Sequence, residues 1–134
     1  MSEQSRKSAE EAAAAKDRVV VYPKANELFI DIDDSVSLAV FDAHIKILDG
    51  ALGGGLLCKK RPSPSGAQGR WHITVTLPRP VKDAFERILL QCLLGSDRLH
   101  EALSWVAASN PENVQHATPT VFFEKPTALP AYEP

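Results

Sequence analysis

Apolar and polar residues alternate most regularly between Arg70 and Leu77. Trp71, Ile73, Val75 and Leu77 fall on one parity, and Arg70, His72, Thr74 and Thr76 on the other, which is the period of a half-buried strand. The run Leu28-Phe29-Ile30-Asp31-Ile32-Asp33-Asp34 starts with the same alternation. Leu28, Ile30 and Ile32 share its aliphatic face, and Phe29, Asp31 and Asp33 share the opposite one. Leu56 to Arg61 reads as a further strand that turns basic at its end, and Thr120 to Glu124 as a last one. Arg18 to Tyr22 adds a short extra strand, ended by Pro23.

Helical spacing recurs twice. From Ser35 to Leu48 the apolar positions are Val36, Val40, Ala43, Ile47 and Leu48; after Pro80 they are Val81, Phe85, Ile88, Leu89, Cys92 and Leu93. Gly95 stops the second helix. Ser96 or Asp97 caps an extension that carries Leu99, Leu103 and Val106 and ends near Asn110-Pro111. Leaving the short extra strand aside, the order is βαββαβ. That order predicts an α+β ferredoxin-like or RRM-like sandwich with a four-stranded antiparallel sheet. The first strand would lie between the third and the fourth, with both helices on one face and the other face open. The expected core includes Ile30, Ile32, Val40, Trp71, Ile73, Val75, Phe85, Leu89 and Val121. Residues 18–125 form the expected domain. Residues 1–17 are an Ala-, Glu- and Lys-rich tail or a helix that docks on a protein partner, and residues 126–134 an irregular tail.

The length of 134 residues suits one domain with a core of its own. The net charge of −2 gives no global basic field, so any nucleic-acid binding needs a local patch. No segment is apolar enough to span a membrane or to act as a signal peptide. The expected setting is therefore cytoplasmic and reducing, without a membrane partner. Cys58 and Cys92 form no CxxC pair and read as reduced core thiols.

The chemistry gathers on the expected open face. Asp33, Asp34 and Ser35 equally well end a strand and cap the following helix. Asp31 is different, because Asp is depleted inside strands. Asp31 and Asp33 point the same way and suit a divalent cation held by oxygen ligands, Mg²⁺ or Mn²⁺. The topology adds His72 and Thr74 from the neighbouring strand, and Phe122 and Glu124 from the last one. Lys59, Lys60, Arg61 and Arg70 supply local positive charge for phosphates. The run Gly53-Gly54-Gly55 follows a helix instead of leading into one, so it reads as a flexible turn and not as a phosphate cradle.

The segments "FIDID" and "SPSGAQGRWHITV" together resemble the first two motifs of the archaeo-eukaryotic primase (primase-polymerase) superfamily. The resemblance covers roughly residues 28–77. It implies an RRM-like sheet with Asp31 and Asp33 as catalytic ligands of Mg²⁺ or Mn²⁺. It implies that Ser65, Gly66, Arg70 and His72 contact a nucleotide triphosphate, and that the reaction is nucleotidyl transfer on a DNA or RNA strand. The family adds a third acid from a later strand, for which Glu124 in "VFFEK" is the candidate. The compact chain and Ala-rich start suit DNA replication in a phage or mobile element.

Three other readings stay open. His72-Ile73-Thr74 resembles half of a 2H phosphoesterase site, for which His116-Ala117-Thr118 is the candidate second half. A non-catalytic RRM-like module would stack bases on Phe29 and Phe122 and hold phosphates with Lys59, Lys60, Arg61 and Arg70. An interaction module would use the open sheet as its partner surface.

Overall fold

The structure, a computed structural model, describes residues 3–110 and 120–124. The elements run α1 (Glu3–Ala14), β1 (Val19–Val21), β2 (Glu27–Ile32), α2 (Ser35–Ala51), β3 (Leu57–Pro62), β4 (Trp71–Thr76), α3 (Ala84–Leu93), α4 (Arg98–Ala108) and β5 (Phe122–Glu124). The fold is mixed α+β. Its strands form two small antiparallel sheets, one of three strands in the order β2-β4-β3 and one pairing β1 with β5. The described residues include no helix long and apolar enough to cross a membrane.

Strand parity sets the core. Leu28, Ile30, Ile32, Ile73 and Val75 are fully buried and meet Phe41 and Leu48 of α2, with Leu77 and Leu94 closing the cluster. Three helices start on an aspartate whose carboxylate accepts a backbone N–H of the first turn: Asp34 on α2, Asp83 on α3 and Asp97 on α4. The helix faces differ in part from the expected stripes. Val36 and Ile47 of α2 and Leu89 of α3 are exposed, and α2 buries Phe41 and Leu48. Val40, Trp71, Phe85 and Val121 are half-buried. Cys58 is exposed on the edge strand β3, so only Cys92 is partly enclosed.

The larger departure concerns the last strand. The fourth strand was expected beside β2, but that edge is already occupied. The Phe29 N–H donates to Gln91 Oε1 at 2.9 Å, and the Asp31 N–H donates to Ser96 Oγ at 3.1 Å. The Asp97 N–H donates to the Asp31 carbonyl at 3.0 Å. The α3–α4 turn thus takes the backbone groups that a paired strand would have used. β5 pairs with β1 instead, Val21 opposite Phe122 and Val19 opposite Glu124. Its side chains come down on the face expected to be open. The Phe122 ring lies parallel to Phe29 at 4.3 Å and to His72 at 4.1 Å, and Phe29, His72, Phe122 and Glu124 are all buried.

Gly95 lets the α3–α4 turn sit where it does. Its φ is +86°, and a Cβ built there would stand 2.6 Å from the Ser37 carbonyl oxygen. Gly95→Ala is therefore expected to destabilise the protein by about 1–3 kcal/mol. Gly50→Ala, inside α2 with nothing within 4 Å of the new Cβ, is expected to stabilise it by about 0.5–1 kcal/mol. Chemical denaturation of the two variants beside wild type checks this; a Gly95→Ala protein as stable as wild type would refute the close approach.

Candidate functional site

Asp31 and Asp33 leave β2 on one face, as strand parity requires, while Asp34 turns away to cap α2 by accepting from the Ser37 N–H at 2.8 Å. The third acid is Asp97. It caps α4 by accepting from the N–H groups of Leu99 at 3.0 Å and His100 at 3.4 Å. The occupied edge of β2 places it against Asp31. Ligand oxygens of Asp31, Asp33 and Asp97 all lie within 4.8 Å of one another.

The carboxyls of this cluster are partly desolvated and act on one another. Burial pushes the Asp31 carboxyl above its usual range and Asp97 pushes the same way, against the pull of His72, His100 and Arg70. Burial also raises Asp33, helped by Asp31 and Asp97, and Asp33 shares a side-chain hydrogen bond with Asp97. Arg70 is the cation that acts on both Asp31 and Asp33. Three hard oxygen donors this close, short of positive charge, fit a small divalent cation, with water or phosphate completing its shell.

Glu124 is not part of this cluster. It is buried, accepts from His72 Nδ1 at 2.9 Å and pairs with Arg61 Nη2 at 3.1 Å. Its assignment as the third acid is therefore corrected: the closed edge of β2 moves β5 away, and Glu124 holds a histidine. With Nδ1 engaged, His72 turns Nε2 toward Asp31 Oδ1, 3.8 Å away. Arg61 is committed to Glu124, and Lys60 lies 5.3 Å from the Trp71 ring centre. Lys59 is exposed on β3. Phe29 and Phe122 stack on each other in the interior, so neither offers a face to a base.

A cleft of about 350 Å³ opens beside the cluster, and Ser63, Pro64 and Ser65 line it together with Asp31 and His72. Gly66, at φ +77°, turns the same loop. A second cleft of about 340 Å³ is lined by Asp33 and Asp97 with the starts of α2 and α4. The expected motif residues Asp31, Asp33, Ser65 and His72 thus converge on one region. Asp97, Ser96 and His100 also belong there but were not assigned to a site from the sequence. Asp97 was readable only as a helix cap, and no local pattern ties it to a strand more than sixty residues earlier. His116 and Thr118, the second half of the phosphoesterase reading, lie outside the described residues. Comparison of the chain with protein-family models, curated proteins and solved structures gives no match.

The raised carboxyls fix the sign of a pH effect. Their protonated forms are favoured by the fold, so that stabilisation is complete below the ordinary Asp value of about 3.9 and fades as pH rises through the raised values. Asp33→Asn is expected to melt above wild type at neutral pH without divalent cations, with the gain shrinking on acidification. Glu124→Gln is expected to melt below wild type at neutral pH, by on the order of 2 kcal/mol, because it removes the buried partner of Arg61 and His72. Thermal melts across this pH range check both; an Asp33→Asn protein less stable than wild type at neutral pH would overturn the account of the cluster.

Proposed function

We propose that the chain is a primase-polymerase-like protein that binds a nucleotide triphosphate together with Mg²⁺ or Mn²⁺ and supports nucleotidyl transfer onto a nucleic-acid strand. One observation carries this reading. Asp97 joins Asp31 and Asp33 in a single acid cluster, beside a cleft walled by Ser65 and His72. The resemblance calls for an acid pair on a strand, a Ser/Gly loop, a histidine on the next long strand and a third acid from a later strand; Asp97 departs from it by standing at the N-cap of α4. Asp97 fills the last position in place of Glu124. The order β2-β4-β3 also supports an RRM-like ancestry, since it matches three neighbouring strands of such a sheet. In this view the fourth strand is displaced.

The residues divide the work. Asp31, Asp33 and Asp97 would hold the divalent cation, which when bound supplies charge stabilisation at the transferred phosphoryl group and lowers the pKa of an attacking hydroxyl. His72 presents Nε2 toward Asp31 with Nδ1–H donated to Glu124, and as an imidazolium it would donate Nε2–H to a phosphate oxygen. Ser65 and Gly66 form the rim of the phosphate site, and Arg70 offsets the anionic charge near the acids. The base-stacking variant of an RRM-like module loses its platform, because Phe29 and Phe122 are interior. A partner-binding role is the second reading. It is favoured by Leu99, Leu103 and Val106, which form an exposed apolar row on α4 at 71%, 61% and 70% exposure.

Primer synthesis and extension with Mn²⁺ tests the proposal. Wild type is expected to make product, and Asp31→Asn and Asp97→Asn to lose about 100-fold or more. Glu124→Gln should keep measurable activity with weakened triphosphate binding. Absence of both product and triphosphate binding in wild type would remove the reading and leave the partner-binding role.

A further inference from the structure

The first cleft has a second wall, built by the segment between α1 and β1, which contributes Lys16 and Arg18. The way α1 ends explains their position. The Asp17 N–H donates to the Ala14 carbonyl at 3.0 Å and the Arg18 N–H to the Ala13 carbonyl at 2.8 Å, the paired bonds of a Schellman stop. The residue at the left-handed position is normally glycine, but here it is Asp17, at φ +54°. The chain turns sharply there, and residues 16 and 18 both reach the cleft.

Neither cation is neutralised by a carboxylate among the described residues. Among the described residues Arg18 donates to carbonyls, Nη1 to Lys16 and Asp17 and Nη2 to Pro64 at 3.3 Å. That last bond ties it to the serine loop. Lys16 is exposed, and its Nζ lies 5.9 Å from the Phe123 ring centre. Ser63 and Ser65 add hydroxyls between the two walls, bonded to each other at 3.1 Å. Asp31, a member of the acid cluster, lines the same cleft.

The cleft is therefore lined by both signs of charge, Lys16 and Arg18 with the serine hydroxyls and the Asp31 carboxylate. A ligand that complements it carries several anionic oxygens at one end and a divalent cation at the other. We infer that Lys16 and Arg18, with Ser63 and Ser65, form the polyphosphate subsite for a metal-bound nucleoside triphosphate. The inference rests on the nucleotide reading above and extends it: α1 and its turn become part of the binding site. It also moves the phosphate-holding role from Lys59, Lys60 and Arg61 to Lys16 and Arg18, which line the cleft. Arg61 is spent on Glu124, whereas Lys16 and Arg18 keep their charge available.

Calorimetric titration of the full chain with ATP, inorganic tripolyphosphate and adenosine, each with Mn²⁺, tests this. Lys16, being exposed, carries the decisive variant, since Lys16→Glu leaves the core untouched. Lys16→Glu and Arg18→Gln are expected to weaken ATP and tripolyphosphate alike by about tenfold or more, with Mn²⁺ binding alone unchanged. Adenosine should bind weakly to all forms. Wild-type affinity for ATP in Lys16→Glu, with that variant melting as wild type, would overturn the subsite and leave the nucleotide reading standing. Failure of wild type to bind either ATP or tripolyphosphate would overturn both. A Lys16→Glu protein that loses affinity for a single-stranded oligonucleotide but not for ATP would assign the cations to a strand and overturn the subsite as stated.

Discussion

The outer edge of β2 is the constraint on which the rest of the architecture depends. β4 takes one side of the strand, and the backbone groups on the other side need partners inside the protein. Gln91, Ser96 and the Asp97 N–H supply them. Two consequences follow from the same bonds. The edge is closed to a fourth strand, so β5 is sent to β1 and across the sheet face. The α3–α4 turn is pinned at Asp31, so the first residue of α4's cap becomes the third carboxylate of the cluster. A sheet with an open edge would have had neither the displaced strand nor Asp97 at the site.

The sequence was legible where local periodicity and local chemistry decide the outcome. The parity of β2 and β4 put Ile30, Ile32, Ile73 and Val75 in the core and grouped Asp31 with Asp33 and His72 on the other face. The serine loop before β4 was readable from its turn residues. The pairing of β5 was not, because three residues of strand carry no signal of which distant edge they will find. Glu124 was a plausible third acid only while that strand was assumed to lie beside β2. Asp97 was invisible as a ligand because its role as an N-cap already accounts for it. The helices misled in another way. α2 and α3 carry more apolar residues than the core can cover, so a wheel drawn from the sequence cannot say that Phe41 goes in and Val36, Ile47 and Leu89 stay out.

Glu124 and the Asp31, Asp33 and Asp97 cluster are handled in opposite ways. Glu124 is enclosed with Arg61 and His72, so its charge is matched and its cost is contained. Asp31, Asp33 and Asp97 stand half-buried together, and burial and mutual repulsion hold Asp31 and Asp33 above their usual range. A cluster of this kind opposes folding at neutral pH. Carboxyls held above their usual range beside a cleft set this cluster apart from the paired Glu124.

A second polar chain ties the closed edge to the displaced strand. Gln91 accepts the Phe29 N–H with Oε1, and its Nε2 donates to both oxygens of Glu101, at 3.0 and 2.9 Å. The Thr120 hydroxyl donates to Glu101 Oε2 at 2.9 Å. Gln91, Glu101 and Thr120 are all buried, and burial raises the Glu101 carboxyl while bonds from Thr120, Ser96 and Gln91 pull it down. Glu101 has neutral donors here in place of a cation, which makes each of these bonds count. Thr120 stands two residues before Phe122 and four before Glu124, so the chain that begins at the β2 edge also sets where β5 enters the face. The position of His72 relative to Asp31 therefore depends on Gln91 and Glu101, neither of which touches the cleft. Coupling of this sort explains why the site needs α3 and α4 as well as the sheet, and why its acids and its histidine are placed by a single buried network.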